Sequence, residues 1–318
     1  MEYINRALGE SLQDVHEIFP VVTMTGPRQS GKTTLCRHLY PDMPYINFEN
    51  VQTGLLFNEN PVGFIDSFKD GAIIDEAQLE PTVFRALQTV VDEDRHLGHR
   101  RKFVITGSSN FSIMAKSSES MAGRTAPLTL LPLSVNEILQ SRQEGISTSE
   151  LMFLGGYPQI WTSPVSAAEI ILQSYIDTYV QRDLRQIMNI KDLSKFLKFL
   201  GLCAGRIGTE LNRSSLAVET GVSVATVDSW LSVLEASYVV WMLPPWSTNV
   251  NKRLTKSPKL YFCDTGFNPD YFKHIRYFEK TFPPEVRYAT VIYDGDSTCE
   301  QATSGLYNFR NPKLYERV

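Results

Sequence analysis

The chain has 318 residues and a net charge of −4, with 31 Lys plus Arg against 35 Asp plus Glu. Hydrophobic residues are 42% and charged residues 21%, which excludes a wholly disordered chain and supplies enough apolar material for two or three domains. The slightly acidic balance excludes a protein built as a whole to grip a polyanion, so any nucleic-acid contact must come from a local patch.

No apolar run is long enough to span a bilayer, so a membrane is not an expected partner. Residues 1–6 lack the basic stretch and apolar core of a secretory signal. The four cysteines, Cys36, Cys203, Cys263 and Cys299, form no Cys-x-x-Cys pair, which argues against a disulfide framework. The expected compartment is the cytosol. His96 and His99 lie among Arg95, Arg100 and Arg101 and read as a solvated loop rather than a metal site.

In chain order, Leu8, Leu12, Val15 and Ile18 fall at helical spacing and predict a helix over 5–18. Val21 to Met24 is a β-rich run ending at Gly26, and a helix follows from about Gly31 to Leu39. Strands are expected at 45–48 and 72–74, the latter a continuous apolar run suited to a buried parallel strand. Pro81 suits the first turn of a helix carrying Phe84, Leu87 and Val91. A strand at 102–106, a short helix near 111–120 and a strand near 128–131 complete the alternation. Strands alternating with helices over 20–132 predict an α/β fold with a parallel sheet.

After Pro132 the pattern turns nearly all helical, with segments at 134–143, 148–154 and 166–189 and a break at 155–165. Residues 192–262 read as helix, turn, helix and then a strand pair around a polar tip, the order of a winged helix-turn-helix. The expected division is a nucleotide core at 1–140, a helical lid at 141–190, a winged helix at 191–262 and a short α+β appendage at 263–318.

Gly26-Pro27-Arg28-Gln29-Ser30-Gly31-Lys32-Thr33 fits G-x-x-x-x-G-K-[ST] at every fixed position, between an apolar strand and a helix. The glycines let backbone N–H groups turn inward around phosphates, and the helix directs its positive N-terminus at them. Lys32 reaches the β- and γ-phosphates, and the Thr33 hydroxyl is placed for Mg²⁺. The phosphate-contacting set is expected to run from Gly26 to Thr34.

Asp75 ends the 72–74 strand at its carboxyl end, where open α/β sheets bind ligands, and can hold Mg²⁺ through water. Glu76 follows, positioned to orient or activate an attacking water. At the end of the 102–106 strand, Thr106-Gly107-Ser108-Ser109-Asn110 offers hydroxyls for the γ-phosphate, with Ser108 the first choice ahead of Thr106 and Asn110. The same residues also read equally well as a polar turn capping the next helix. Arg124, after Gly123, reads either as an arginine finger for a neighbouring subunit's nucleotide or as a surface arginine at a helix end.

Together, Gly-Pro-Arg-Gln-Ser-Gly-Lys-Thr-Thr-Leu, Ile-Ile-Asp-Glu-Ala-Gln, Ile-Thr-Gly-Ser-Ser and Ala-Gly-Arg resemble the prokaryotic AAA+-type ATPases with a DUF4143 C-terminal region. Gly-Gly-Tyr-Pro at 155–158, Tyr-Val-Gln-Arg-Asp at 179–183 and Cys-Asp-Thr-Gly-Phe at 263–267 extend the resemblance. It implies an AAA+ P-loop core, a helical lid, a winged helix and ATP and ADP as the nucleotides, with Mg²⁺. It also implies that Tyr157 and Pro158 pack near the base. The nuclease-like module that usually follows is reduced here, without a carboxylate pair and lysine at nuclease spacing, so metal-dependent DNA cleavage is not expected.

The expected recognition helix, 224–237, contains Asp228 and Glu235 but no Lys or Arg, contrary to what base readout favours. The wing tip carries Lys252, Arg253, Lys256 and Lys259 without an acid, which leaves two readings open: sequence-independent DNA contact through the wing, or a packing module with solvated lysines. The leading expectation is an ATPase working as a homo-oligomeric ring. The alternative is a slow nucleotide switch or scaffold that binds a protein partner.

Overall fold

The computed structural model describes residues 3–107, 121–142, 145–176, 178, 192–245 and 256–267, and the backbone of 289–293, 299–300 and 304–308. The chain forms two compact units. One comprises residues 5–132 with 236–238. The other comprises 1–4, 133–235 and 239–318.

In the first unit, α1 (Leu8–Ile18) leads into β1 (Val21–Thr25), α2 (Lys32–Leu39) and β2 (Tyr45–Asn47). Then come α3 (Val51–Glu59), α4 (Pro61–Asp66), β3 (Gly71–Asp75), a single 3-10 turn at Ala77–Leu79, α5 (Val83–Leu97), β4 (Lys102–Thr106) and β5 (Thr125–Thr129). The strands make one parallel sheet in the order β2-β3-β4-β1-β5. From β1 the chain goes to the far edge, returns through β3 and β4, and then passes β1 to reach β5. This places the carboxyl ends of β1, β3 and β4 side by side, where such sheets hold ligands. Every residue of β1 and β3 is buried, as expected of strands covered on both faces.

Helices α3 and α4 lie in a stretch for which the apolar spacing predicts no element. Their signal is in the caps: Asn50 Oδ1 accepts from the Gln52 N–H at 2.9 Å, and Asn60 Oδ1 accepts from the Gly63 N–H at 3.0 Å, with Pro61 in the first turn. Edge-to-face contacts run from Phe48 to Phe57, Phe64 and Phe68, with centroids 5.2–5.7 Å apart. Strand β5 starts three residues before the apolar run at 128–131 that marks it in the sequence. Its parallel register with β1, from Val21 beside Thr125 to Thr25 beside Thr129, decides its limits. An edge strand does not need an apolar run on both faces, and it tolerates Pro127. The helix expected at 111–120 lies outside the described residues.

Buried polar ties close this unit. The neutral His16 ring joins the Tyr40 hydroxyl at 2.7 Å through Nδ1 and the Phe103 carbonyl at 3.0 Å through Nε2. With the carbonyl accepting from Nε2–H, Nδ1 must accept from Tyr40. Burial pushes the His16 pKa below its ordinary 6.5. Arg101 bonds Asp94 on α5 and Asp66 on α4, at 2.6 and 2.9 Å at closest.

The second unit contains α6 (Val135–Ser141), α7 (Thr148–Leu154), α8 (Pro158–Trp161), α9 (Ala168–Tyr175), α10 (Leu193–Ala204), α11 (Arg213–Thr220) and α12 (Val224–Ala236). An antiparallel pair follows, β6 (Val240–Leu243) with β7 (Lys259–Phe262). The expected 155–165 break thus holds the short α8, opened by Pro158. Near the C-terminus β10 (Ser304–Asn308) pairs with β8 (Ala289–Tyr293) in parallel and β9 (Cys299–Glu300) antiparallel. Phe196 and Phe199 of α10 pack on Trp230 of α12, with centroids 5.1 and 5.2 Å away. Leu216, Val227, Leu231, Leu234 and Leu260 surround them.

Asp264, just beyond β7, is buried beneath Gly155 and Gly156. Its Oδ2 accepts from the Gly156 N–H at 2.7 Å and its Oδ1 from the Gly266 N–H at 2.8 Å. Gly155 has φ +66°, and a Cβ there would fall 2.0 Å from Asp264 Oδ1. The Gly-Gly-Tyr-Pro and Cys-Asp-Thr-Gly-Phe stretches, far apart in sequence, are therefore one clasp. No described helix is long and apolar enough to cross a membrane. Cys36, Cys203 and Cys263 are free thiols.

Candidate nucleotide-binding site

Residues 26–31 form the loop between β1 and α2, and Lys32, Thr33 and Thr34 open the helix. Gly26 has φ +146°, and a Cβ on it would stand 2.2 Å from the Leu130 carbonyl oxygen, so only glycine lets the chain turn there beside the β5 exit. Arg6 steadies the loop from outside, donating to the Ser30 carbonyl at 2.7 Å and the Leu131 carbonyl at 2.6 Å. Nothing in the sequence pattern marks Arg6 for this role.

Lys32 is buried, and its Nζ donates to the Gly26 and Pro27 carbonyls at 3.0 and 2.7 Å. Burial lowers its pKa to about 8, an effect that nearby Glu76 and Asp75 oppose. The ammonium thus sits in the loop with weak carbonyl partners, which stronger anionic oxygens can replace. Ser30 is fully buried, and its Oγ has no hydrogen-bond partner among the described residues. Such an orphan is costly in a finished interior, and it fits a loop that closes on a polar ligand.

Asp75 receives three side-chain hydroxyls. Oδ2 accepts from Thr33 and from Tyr45, each at 2.7 Å. Oδ1 accepts from Thr106 and from the Glu76 N–H, the latter at 3.0 Å. The structure therefore brings the loop's threonine and the β3 carboxylate together. It gives the Thr106 hydroxyl to Asp75. Ser108 and Asn110 lie outside the described residues. Tyr45, on edge strand β2, is absent from the sequence-based set because a tyrosine in a Tyr-Ile-Asn strand reads simply as β-former. Arg37 lies over its ring, 5.2 Å from the centroid. Burial and the bond to Asp75 hold the Tyr45 hydroxyl firmly protonated.

Glu76 adopts a left-handed backbone, φ +53°, as does Gln29 of the loop at +59°. Non-glycine residues in this region are strained, and strain of this kind gathers at functional sites. Burial raises the Glu76 pKa above the usual carboxylate value, while a hydrogen bond from the Gln78 amide works the other way.

A hydroxyl and a carboxylate in contact, beside a buried lysine and an orphaned serine, suit Mg²⁺ with a polyphosphate. Mg²⁺ takes hard oxygen ligands and is commonly held by one or two protein groups plus phosphate oxygens and water. Among the described residues no cluster of three or more His, Cys, Asp or Glu offers an all-protein metal site.

The other predicted residues have surroundings of their own. Arg124, in the turn before β5, makes a bidentate ion pair with Asp92 of α5, Nε–Oδ1 2.6 Å and Nη2–Oδ2 2.8 Å. Tyr157 and Pro158 belong to the other unit. Tyr157 is buried, its hydroxyl donating to that of Tyr175 at 3.0 Å, and Pro158 begins α8. Lys256 and Lys259 flank the start of β7, while Lys252 and Arg253 lie outside the described residues.

The parallel sheet order, the phosphate loop and the paired β3-terminal acids are the features of a P-loop fold in the first unit. Residues 19–139 match the family model described as AAA domain. Residues 146–270 match a second model, a domain of unknown function, DUF8612. The expected resemblance of this region to DUF4143 is not carried by that match.

Over 258 residues the chain is 31% identical to two mycobacterial proteins, uncharacterized protein Rv2008c of Mycobacterium tuberculosis and uncharacterized protein Mb2031c of Mycobacterium bovis. The alignment covers 78% of this chain and 55% of each relative, so the chain spans about half the length of the curated relatives it matches. In fold it is similar to the Walker-type ATPase Paby2304 of Pyrococcus abyssi, with a TM-score of 0.56, 13% identity, and coverage of 84% of this chain and 95% of that one.

Proposed function

We propose that the chain is a Mg²⁺-dependent ATPase. The observation that carries this reading is the meeting of Thr33 with Asp75 beside Lys32, whose ammonium rests on loop carbonyls. In this reading Lys32 binds the β- and γ-phosphates, supported by the backbone from Gly26 to Thr34. Thr33 and Asp75 hold Mg²⁺, the Asp75 carboxylate through water. The bound Mg²⁺ supplies positive charge to the phosphate oxygens. Glu76 orients the attacking water and accepts its proton, an exchange favoured by its raised pKa. Ser108 is proposed to contact the γ-phosphate. With Thr106 committed to Asp75, the neighbouring hydroxyl is the better candidate.

Lys32→Ala is expected to abolish nucleotide binding. Glu76→Gln should keep binding, measured with a fluorescent ATP analogue, and stop phosphate release. Equal phosphate release by Glu76→Gln and the unaltered chain would remove Glu76 from its assigned role.

The wider reading is an AAA+ protein in a homo-oligomeric ring, with Arg124 reaching a neighbour's ATP. The nucleotide state is then transmitted to a lid at 141–190 and to a winged helix at 191–262. The order α10, α11, α12 and the β6–β7 pair supports that last assignment. Sequence-independent DNA contact through Lys252, Arg253, Lys256 and Lys259 belongs to this reading.

Two observations favour the second reading, a slow nucleotide switch that binds a protein partner. Arg124 is held by Asp92 of its own chain. The exposed positions of α12 include Val224, Ala225, Ser229 and Ser232, and its Asp228 is paired with Arg213 at 2.6 Å, leaving no cation on that helix for DNA. Steady-state ATP hydrolysis with and without DNA, at two salt concentrations, separates the two readings.

A further inference from the structure

Gln78 closes the Asp75-Glu76-Ala77-Gln78 stretch, and the roles assigned so far leave it unused. After the left-handed Glu76 the chain makes one 3-10 turn, with the Leu79 N–H returning to the Glu76 carbonyl at 3.0 Å. That turn folds the Gln78 side chain back onto Glu76, where Nε2 donates to Oε2. The direction of the amide is fixed by chemistry. Reversed, its carbonyl would face the carboxylate oxygen, acceptor against acceptor. The same constraint turns Oε1 away from Glu76, and there it is buried with no partner among the described residues. A buried amide oxygen without a donor is costly to keep, so a donor is expected to visit it.

We infer that Gln78 is a positioning residue for hydrolysis: its amide N–H holds the Glu76 carboxylate, and its orphaned carbonyl oxygen, together with Glu76, offers two acceptors to the water that attacks the γ-phosphate. This rests on the ATPase reading. A water molecule has two protons to donate, and two acceptors orient its lone pair. In the step, the water oxygen forms a bond to the γ-phosphorus while the bond from that phosphorus to the bridging oxygen breaks, its electron pair leaving with ADP. One water proton passes to Glu76 and is later released to solvent. The other stays on the product phosphate, donated in a hydrogen bond to Gln78 Oε1. Glutamine suits the place because it carries a donor and an acceptor on one neutral group. Leucine has neither, and an ionised glutamate has no donor and would repel Glu76.

The test compares the unaltered chain with Gln78→Leu, Gln78→Glu and Glu76→Gln. Turnover is measured beside affinity for a fluorescent ADP with Mg²⁺, alone and with aluminium fluoride, which mimics the phosphoryl group under attack. Gln78→Leu, similar in volume, is expected to lower kcat roughly tenfold to a hundredfold with KM unchanged. It should keep ADP affinity within about twofold and lose the extra affinity conferred by aluminium fluoride. Gln78→Glu, closer still in shape, should be equally impaired, and it serves as the second variant if the leucine chain does not fold. Turnover and fluoride-complex affinity close to those of the unaltered chain would overturn the inference. So would a parallel loss of ADP affinity, which marks a purely structural role. If the unaltered chain bound no nucleotide, the ATPase reading itself would fall. If it bound and hydrolysed ATP, and Glu76→Gln stopped turnover while Gln78→Leu did not, only the role of Gln78 would be lost.

Discussion

Two buried aspartates near the ends of β-strands show how differently the two units use the same group. Asp75 follows the apolar run of β3 and collects four donors, three of them hydroxyls on side chains that can reorient. Asp264 lies just past β7 and collects two backbone N–H groups that cannot turn away. Asp75 has the buried Lys32 nearby, and the causes acting on the Asp264 pKa include no cation. The first carboxylate can exchange partners when a ligand arrives. The second fixes a loop, and burial raises its pKa to about 6.

The largest effect that tests this contrast comes from Asp264→Ala. It strands two buried N–H groups at roughly 1–3 kcal/mol each, so a loss of about 2–6 kcal/mol is expected in the second unit. Hydrogen exchange at the Gly156 and Gly266 amides reads it directly, and the first unit should keep its protection. Asp75→Ala should cost less stability than Asp264→Ala because three of its four donors are hydroxyls that can find new partners, although turnover is expected to disappear. Equal destabilisation by the two substitutions would erase the distinction drawn here.

A comparable effect follows from pH, with opposite signs in the two units. The folded pKa of Asp264 lies above its unfolded value of 3.8, so its contribution is complete below 3.8 and is lost as pH rises to about 6. A shift of that size corresponds to on the order of 3 kcal/mol. The folded pKa of His16 lies below 6.5, so its contribution is complete above 6.5 and fades as pH falls through that value. Exchange protection measured between pH 4 and 7 should therefore fall with rising pH in the second unit and rise with it in the first. His16→Gln and Asp264→Asn should each flatten the slope of their own unit.

The smallest effect sharpens the Asp75 side. Tyr45→Phe keeps the ring beside Arg37 and removes one of four donors, worth about 0.5–1.5 kcal/mol. The Mg²⁺ concentration for half-maximal turnover should rise a few-fold. Turnover at saturating Mg²⁺ should change little, and a titration unaffected by the substitution would mean that the tyrosine only packs.

The sheet was legible in the sequence because buried parallel strands announce themselves as apolar runs: Ala72-Ile73-Ile74 and Phe103-Val104-Ile105 could hardly lie elsewhere. The edge strand β5 was harder to delimit. Its register comes from pairing with β1, and Pro127 argues against a strand in the sequence. Helices α3 and α4 are specified by their asparagine caps and by phenylalanines that meet only after folding.

For the site, Lys32, Thr33, Asp75 and Glu76 stood out because phosphate and Mg²⁺ chemistry requires those residue types at that spacing. Local sequence therefore determined the loop, the acids and the parallel sheet, since each depends on backbone freedom or burial over a few consecutive residues. Tertiary structure alone decided that Tyr45 and Arg6 serve the site, that the Thr106 hydroxyl goes to Asp75, that Arg124 faces Asp92, and that Asp264 closes over Gly155. Those pairings span from 24 to 125 positions, and only the packing of the elements that carry them sets which side chains meet.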